Sequence, residues 1–180
     1  MIDKKQIIKK DFILNYLPKN SSGAEIGVWK GEFSEIIIDK LDPSIIYLVD
    51  PWLFMGEIYP DRWYGGTWAT CQLDMDSIYE SLIKKYENQK NVKIIKDSSV
   101  NLLNHIPKKS LDWVYIDGNH DYEFVLNDLR ISKELIKSKG MIVGDDFIKD
   151  NDIHKALITF AMENPSYNYS TIENQFLIQT

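Results

Sequence analysis

Four short, mostly apolar runs, each followed by an acidic residue, constrain the fold of this chain more than any other feature. The runs occupy residues 45–49, 92–96, 111–116 and 141–144, and the acids after them are Asp50, Asp97, Asp117 and Asp145. Apolar runs without polar alternation are typical of strands that are buried on both faces of a parallel sheet. Helical patterns separate the runs, so the sequence predicts an α/β fold built on a parallel sheet.

Helices are predicted where apolar residues recur three and four positions apart. These segments cover residues 4–17, 34–41, 75–86, 124–136 and 153–160, and a short capped helix is expected at 99–104. The first of them belongs to an N-terminal helical region, 1–22. Residues 138–140 are expected to end the fourth helix before the next strand begins at Met141. Two last strands, near 167–172 and 175–179 with Asn174 at their turn, would form a hairpin.

Length and charge limit the class of protein. The 180 residues are enough for one well-buried core, and we expect a single domain spanning 1–180. A net charge of −6 without a basic run argues against a nucleic-acid partner, and Cys71, the only cysteine, excludes an internal disulfide. No apolar run approaches the ~18 residues of a membrane span, and the N-terminus lacks a signal-peptide core. We therefore expect a cytoplasmic protein without a membrane partner.

The segment 24–34 joins the first predicted strand to a helix that starts near Ser34. It contains the pattern Glu25-x-Gly27-x-x-x-Gly31. Glycine lets a backbone approach a ligand closely because it has no Cβ, and the amides at the following helix start would face that ligand. The spacing differs from the G-x-G-x-x-G dinucleotide fingerprint. An ordinary tight strand-to-helix turn is the alternative.

Polar residues at two strand ends are candidates for contacts with a nucleoside. Asp50 ends its strand about 20 residues beyond the glycine turn, where an acid accepts hydrogen bonds from ribose hydroxyls. It could instead form a turn ahead of Pro51. Asp97 and Ser98 follow the next strand, and they could reach an adenine amino group, cap the helix at 99–104, or do both.

Three further acids are candidate metal ligands. Asp117, Asp145 and Asp146 would leave the same edge of neighbouring parallel strands. Three carboxylates there would repel one another unless something positive lies between them. Mg²⁺ prefers oxygen ligands and leaves positions for substrate oxygens. The alternative is that these acids cap helices and accept hydrogen bonds from backbone amides.

The segment 51–72 is rich in aromatic residues and glycine. Loops of this length are often lids or binding loops, and aromatic faces can stack on a sugar or an aromatic acceptor. We expect a lid or acceptor wall that includes Trp52, Tyr59, Trp63 and Tyr64. A satellite core, or an oligomer interface such as that of a homodimer, is the alternative.

Four motifs resemble those of class I S-adenosylmethionine (SAM) dependent methyltransferases. They are Glu25-x-Gly27-x-x-x-Gly31, Val49-Asp50-Pro51-Trp52, YIDGNHDY at 115–122 and Gly144-Asp145-Asp146-Phe147. More narrowly, the last two resemble the IDG-x-H-x-Y and GDD pair of a small O-methyltransferase-like group. The resemblance runs from about residue 23 to residue 160. It implies a Rossmann-like, doubly wound, mostly parallel seven-stranded sheet with helices on both faces and a C-terminal antiparallel hairpin.

The resemblance also implies which residues contact the cofactor. The SAM-binding residues would be Glu25, Gly27, Gly31, Ser34, Asp50, Asp97, Ser98 and Asp117. Among them, the glycine motif would shape the methionine side of the site. Asp50 would hold the ribose, and Asp97 with Ser98 would border the adenine.

The same resemblance suggests a catalytic centre. Catechol-type O-methyltransferases bind Mg²⁺ through an acid after strand four and a pair after strand five, and a lysine three residues after the first acid is the base. Asp117, Asp145 and Asp146 fall at the metal positions, and His120 stands where the lysine would. Histidine titrates near neutrality, so we expect His120, beside Asp117, to act as the general base. It could also be a fourth metal ligand or a packing residue bonded to Tyr122.

The expected reaction is methyl transfer from SAM to a hydroxyl oxygen of a small molecule or glycan, assisted by Mg²⁺ or another divalent cation. Sugar O-methyltransferases and a cephalosporin-hydroxylase-like group share these motifs, so the acceptor stays open; a sugar hydroxyl is favoured over a phenol. A nicotinamide-dependent oxidoreductase and a non-catalytic binding subunit are the alternatives. The glycine spacing argues against the first, and the intact acidic cluster argues against the second. His105 and His154 are expected to be structural or surface residues.

Overall fold

Seven strands form one sheet in the computed structural model, which describes residues 11–56 and 69–179. They are β1 (Ser22–Ile26), β2 (Ile45–Asp50), β3 (Val92–Lys96), β4 (Leu111–Ile116), β5 (Ile136–Gly144), β6 (Asn168–Ile172) and β7 (Gln175–Gln179). Their order across the sheet is β3-β2-β1-β4-β5-β7-β6. Strands β1 to β5 are parallel, whereas β7 pairs antiparallel with both β5 and β6. The predicted sheet and its C-terminal hairpin are confirmed.

Helices cover both faces of this sheet. The α-helices are α1 (Glu32–Leu41), α2 (Gln72–Tyr86), α3 (Tyr122–Leu135) and α4 (Asp152–Glu163), and two 3-10 helices occupy Asp11–Tyr16 and Ser99–Asn104. One apolar core contains side chains of α3, α4 and the second 3-10 helix, and the other contains side chains of α1, α2 and the first. Within the described residues, no helix combines the length and apolar character needed to cross a membrane.

Strand β4 shows why its sequence is apolar without alternation. Val114 and Ile116 belong to the core under α3 and α4, and Trp113 and Tyr115 belong to the core under α1 and α2. None of these four side chains is more than 4% exposed. Successive side chains of a strand point to opposite faces, so a strand covered on both sides needs apolar residues at every position.

The boundary between α3 and β5 differs from the prediction. Helix α3 ends at Leu135, and Ile136 already pairs with Leu111, whereas the next pair joins Met141 to Trp113. The residues between them form a bulge, and its exposed Lys137 contacts both carboxylate oxygens of Asp112 at 2.9 Å. The strand therefore begins five residues before the predicted start. A bulge of this kind has no periodic signature in sequence.

The two predicted short N-terminal and central helices also differ in type. The segments Asp11–Tyr16 and Ser99–Asn104 are 3-10 helices. In the first, Ile13 and Leu14 are buried against the sheet as the apolar pattern predicts. Residues 1–10 lie outside the described part of the chain, so the rest of the predicted N-terminal helix is not described.

Gly27 lies where three strands come together at the carboxyl edge of the sheet. Its φ is +92°, and a Cβ on this residue would lie 2.2 Å from the carbonyl oxygen of Asp117 and 2.6 Å from the amide nitrogen of Gly118. Its own N–H donates to the carbonyl of Val49 at 2.9 Å, and the Asp117 N–H donates to the carbonyl of Ile26 at 2.8 Å. The space that glycine leaves is therefore filled by the chain after β4.

We expect Gly27→Ala to lower the free energy of unfolding by about 3 kcal/mol or more, because alanine meets both an unfavourable φ and a backbone clash. Gly118→Ala is the matched control. A Cβ there meets its nearest atom, Oδ2 of Asp128, at an ordinary 3.5 Å. We expect the control to change stability by less than about 1 kcal/mol. Urea unfolding of both variants tests this, and equal losses would contradict the packing described for Gly27.

Candidate functional site

The predicted site residues that the structure describes lie near one edge of the sheet, where the carboxyl ends of β1 to β5 meet. Parallel strands bring their carboxyl ends to the same edge, which is where open α/β sheets bind ligands. Backbone hydrogen bonds join the loops that carry these residues. Asp117 N–H donates to Ile26, and Asp145 N–H donates to Ile116 at 3.2 Å. The loops after β1, β4 and β5 are thus held side by side.

The glycine turn ends at the N-terminus of α1. Gly31 is the N-cap of α1 with a φ of 72°, and no side chain caps the helix there. A Cβ at Gly31 would lie 2.6 Å from Cδ2 of Leu82 in α2. The positive φ favours glycine at position 31, and a Cβ there would also displace the end of the Leu82 side chain, whereas at Gly27 it would meet the backbone after β4. A helix N-terminus is a favourable place for a polar ligand group, because its first amides point out of the helix.

Glu25 and Ser34 bond to each other inside the protein. Their exposures are 1% and 0%, and the Ser34 hydroxyl donates to Oε2 of Glu25 at 2.5 Å. This bond ties β1 to α1 below the glycine turn. A direct contact of either side chain with a cofactor stays a prediction.

Asp50 holds two loops through backbone amides. Its Oδ2 accepts from the Trp29 amide at 3.0 Å, and its Oδ1 accepts from the Trp52 amide at 2.8 Å. Burial raises the pKa of the Asp50 carboxyl, and the hydrogen bonds from these amides and from Val28 lower it in part. The turn-forming role is present in the structure. Each carboxylate oxygen can accept more than one hydrogen bond, so a ribose contact is compatible with it and stays a prediction.

Trp52 is buried beside the glycine turn, and the methyl-acceptor contact predicted for it stays a prediction. Its side chain is 0% exposed, and its indole N–H donates to the carbonyl of Trp29 at 2.9 Å. Its ring also packs against Tyr79, with centroids 5.1 Å apart. A buried indole N–H needs a hydrogen-bond acceptor, and the Trp29 carbonyl in the glycine turn is that acceptor. The other predicted acceptor residues, Tyr59, Trp63 and Tyr64, lie outside the described residues, as does most of the segment 51–72.

Asp97 lies directly before Ser98, the N-cap of the second 3-10 helix. Its Oδ1 accepts from the Ser98 amide at 2.7 Å and from the Asn101 side chain at 2.8 Å, and its Oδ2 lies 2.8 Å from Nε2 of His105. The hydrogen bonds from Asn101 and His105 lower the pKa of the Asp97 carboxyl below its ordinary value. The N-cap of this described helix makes no side-chain cap hydrogen bond; Asp97 instead holds Ser98, Asn101 and His105 together, and the adenine contact stays a prediction. Sequence analysis found no partner for His105, because the two residues are eight positions apart.

Asp117, His120 and Asp146 form the cluster that could hold a metal ion. Each offers one ligand atom, and these atoms lie within 4.8 Å of one another. His120 Nε2 is 3.4 Å from Oδ2 of Asp146. The predicted metal ligands were Asp117, Asp145 and Asp146, with His120 as a possible fourth; in residues 11–56 and 69–179 the cluster contains His120 and not Asp145, and metal binding by any of them stays a prediction. Asp145 lines the adjacent cleft with Asp117 and His120.

The backbone after β5 explains why Asp146 joins the cluster. Asp145 continues the hydrogen bonding of the sheet through its bond to Ile116, whereas Asp146 has a left-handed φ of 55°. The Asn151 side chain donates to the Asp146 carbonyl at 3.0 Å and supports this turn. A left-handed residue changes the direction of the chain, so adjacent acids do not share one orientation.

The cluster has suitable donors for a divalent cation. Cation–ligand distances of about 2.0–2.2 Å place opposite ligands roughly 4 Å apart, so a spread of 4.8 Å requires only small side-chain rotations. Two carboxylates and an imidazole form a mixed oxygen and nitrogen set. Such a set suits Mn²⁺ or Zn²⁺, and Mg²⁺ would rely on the two carboxylates.

Asp128 is a buried acid that sequence analysis missed. It is 3% exposed, and one of its carboxyl oxygens has no hydrogen-bond partner in the described structure. Burial raises the pKa of Asp128 to about 7, and a hydrogen bond with Ser99 opposes this increase. Its burial could have been predicted from the sequence, because position 128 falls on the apolar face of α3 with Val125 and Leu129. The carboxyl lies beneath the loop after β4, next to Gly118.

Comparison with known proteins supplies a family. Residues 24–147 match a family model described as a methyltransferase domain. No curated protein sequence matches this chain. The matched range contains the glycine turn, Asp50 and the cluster of Asp117, His120 and Asp146.

Solved structures share the fold at low sequence identity. The O-methyltransferase NovP is 17% identical with a TM-score of 0.63, and the match covers 97% of this chain and 78% of NovP. SMU.1697c of Streptococcus mutans, a candidate methyltransferase in complex with S-adenosylhomocysteine (SAH), is 14% identical with a TM-score of 0.62, covering 99% of both chains. A candidate sarcosine dimethylglycine methyltransferase from Galdieria sulphuraria is 12% identical (TM-score 0.51; 79% of this chain), and this chain spans 45% of its length.

We expect Asp128→Asn to stabilise the protein at pH 8 by up to about 4 kcal/mol, because ionising the buried carboxyl costs free energy only in the folded state. Below the unfolded pKa of 3.8 the carboxyl is protonated in both states, so the cost is absent there; it grows as pH rises to about 7. Urea unfolding at pH 5 and pH 8 measures the effect, with Glu123→Gln on the exposed face of α3 as control. The same pH dependence in wild type and Asp128→Asn would contradict it.

Proposed function

We propose that this chain, which belongs to the methyltransferase domain family, transfers the methyl group of SAM to a hydroxyl oxygen with the help of a divalent cation. The family makes it a SAM-dependent methyltransferase; the oxygen acceptor and the cation are our proposal. The observation that carries them is the cluster of Asp117, His120 and Asp146 at the edge that holds the glycine turn. NovP, one of the solved structures that share this fold, is an O-methyltransferase.

The cofactor side of the proposal rests on the glycine turn and Asp50. The N-terminus of α1 follows the glycine turn directly, and Asp50 at the end of β2 would offer carboxylate oxygens to hydroxyl groups. Asp97 and Ser98 lie at the end of β3, on the side where the adenine would extend. The methyl group of a sulfonium is already activated, so the protein contributes mainly by aligning it with the acceptor oxygen.

In the proposed mechanism Asp117 and Asp146 would hold the cation. A bound divalent cation supplies positive charge that lowers the pKa of a neighbouring hydroxyl. His120 lies within reach of the same position, since its Nε2 is 3.4 Å from Oδ2 of Asp146. We assign it the acceptance of the hydroxyl proton. Asp146 would then also orient the imidazole and stabilise its protonated form.

The acceptor we propose is a small molecule or a glycan. The net charge of −6 disfavours a polyanionic acceptor such as RNA or DNA. A sugar hydroxyl is the first choice and a phenol the second. An acceptor screen with methyl-labelled SAM, scoring SAH release with and without Mg²⁺ or Mn²⁺, tests this assignment. Transfer to amines alone, independent of any cation, would overturn it.

Asp146→Asn is expected to reduce kcat/KM for methyl transfer about 100-fold or more, because the cation loses a charged ligand. SAH affinity should change less than about threefold, since the variant leaves the glycine turn and Asp50 intact. Asp145→Asn is the matched control, because Asp145 stands next in sequence but outside the cluster. The kcat/KM of Asp145→Asn should fall less than about tenfold. Full activity of Asp146→Asn in EDTA would contradict the cation-assisted mechanism.

The variant His120→Ala distinguishes two roles for His120, a general base and a third metal ligand. If His120 is the general base, His120→Ala should change Mn²⁺ affinity less than about threefold, and kcat should fall about 100-fold or more. The lost turnover should recover in part as pH rises, because hydroxide replaces the missing base. Mn²⁺ titration followed by electron paramagnetic resonance measures the affinity. A large drop in Mn²⁺ affinity would assign His120 as a ligand instead.

A further inference from the structure

Asp50, Trp29 and Trp52 form an interlocked unit. Asp50 accepts hydrogen bonds from the amides of both tryptophans, and the Trp52 indole N–H donates to the Trp29 carbonyl. Both tryptophans have left-handed backbones, with φ of 52° and 41°. A left-handed conformation is unfavourable for a non-glycine residue, so surrounding contacts must maintain it. The three hydrogen bonds supply those contacts.

The indole of Trp52 fixes the orientation of one peptide group in the glycine turn. No peptide bond in the described chain is cis, and the C=O and N–H of a trans peptide point in opposite directions. The Trp29 carbonyl points toward the buried indole. The N–H of Lys30 on the same peptide therefore points away from that indole. This peptide lies directly before Gly31, the N-cap of α1.

Gln72 at the start of α2 holds Trp52 from the other side. Its Nε2 donates to the Trp52 carbonyl and its Oε1 accepts from the Phe54 amide, each at 2.9 Å. Its Nε2 also lies 3.0 Å from Oδ1 of Asp76, which pairs with Lys96 at 2.6 Å. The position of the indole is therefore set by α2 as well as by the core around it.

We propose that Trp52 is a positioning residue for SAM, acting through the Trp29 carbonyl on the peptide that precedes the N-cap of α1. This role rests on the proposed cofactor site. It differs from the acceptor contact expected from the sequence, because the indole works from inside the protein. Loss of the indole N–H removes one hydrogen bond that orients the Trp29–Lys30 peptide, and the turn then binds the cofactor less tightly.

Trp52→Phe removes the N–H and keeps an aromatic ring in the core. Trp113→Phe is the matched control, since Trp113 is also 0% exposed and its indole donates to Oγ of Ser21 at 3.0 Å, away from the glycine turn. Gln72→Leu is a second test variant at a partly exposed position. Calorimetric titration with SAH and hydrogen exchange of the amides at residues 28–31 are the two measurements, with urea unfolding to compare stability losses.

Trp52→Phe should weaken SAH binding about tenfold, the scale expected from one hydrogen bond, and Gln72→Leu should weaken it about threefold. Trp113→Phe should stay within about twofold despite a similar loss of stability. Amides at 28–31 should exchange faster in Trp52→Phe alone. Equal SAH affinities of Trp52→Phe and Trp113→Phe, with wild type binding, would overturn the positioning role only. No SAH binding by wild type would overturn the proposed function and this role with it.

Discussion

The close contact between the glycine turn and the chain after β4 is the constraint on which the site depends. The backbone of Asp117 fills the space beside Gly27, and its N–H donates to Ile26. This contact leaves no room for any side chain at position 27. It brings the loop that carries Asp117 and His120 against the turn that opens α1. A cofactor at one loop and a cation at the other would therefore be neighbours without any long connecting element.

The edge also concentrates negative charge, and each acid is stabilised in a different way. Asp50 accepts hydrogen bonds from backbone amides, and Asp97 accepts them from the side chains of Asn101 and His105. Asp146 lies beside His120. Buried Asp128 has a raised pKa instead. Such an edge favours positively charged ligands. The sulfonium of SAM, the methyl donor of this family, is of that kind, and so is the divalent cation that we propose.

Sequence patterns predicted the sheet well because burial on both faces leaves a clear trace. The strands at 45–50 and 92–96 were placed at their observed bounds, and the hairpin turn at Asn174 was also found. The bulge after Ile136 was missed because it interrupts pairing without any periodic signal. Helix 99–104 was predicted, but propensity does not separate a 3-10 turn from an α-helical one.

The site was predicted less completely, for reasons that particular residues make clear. Strand ends identified Asp117 and Asp146 correctly as neighbours, but the left-handed turn at Asp146 decides that His120 joins them. A tryptophan has the same hydropathy whether it faces a ligand or the core. The sequence therefore did not show that Trp52 is buried. Local patterns also carry no information about contacts between loops, such as the amide of Trp29 on Asp50.

Calorimetric titration of the wild-type protein with SAH and, separately, with NAD tests the central claim most directly. The claim is that the interlocked loops at the carboxyl edge form a SAM site. It predicts saturable binding of one SAH per chain with micromolar affinity, displaced by SAM, and no heat from NAD. Absence of SAH binding at millimolar ligand, in protein shown to be folded by circular dichroism, would contradict it, and so would binding of NAD in its place.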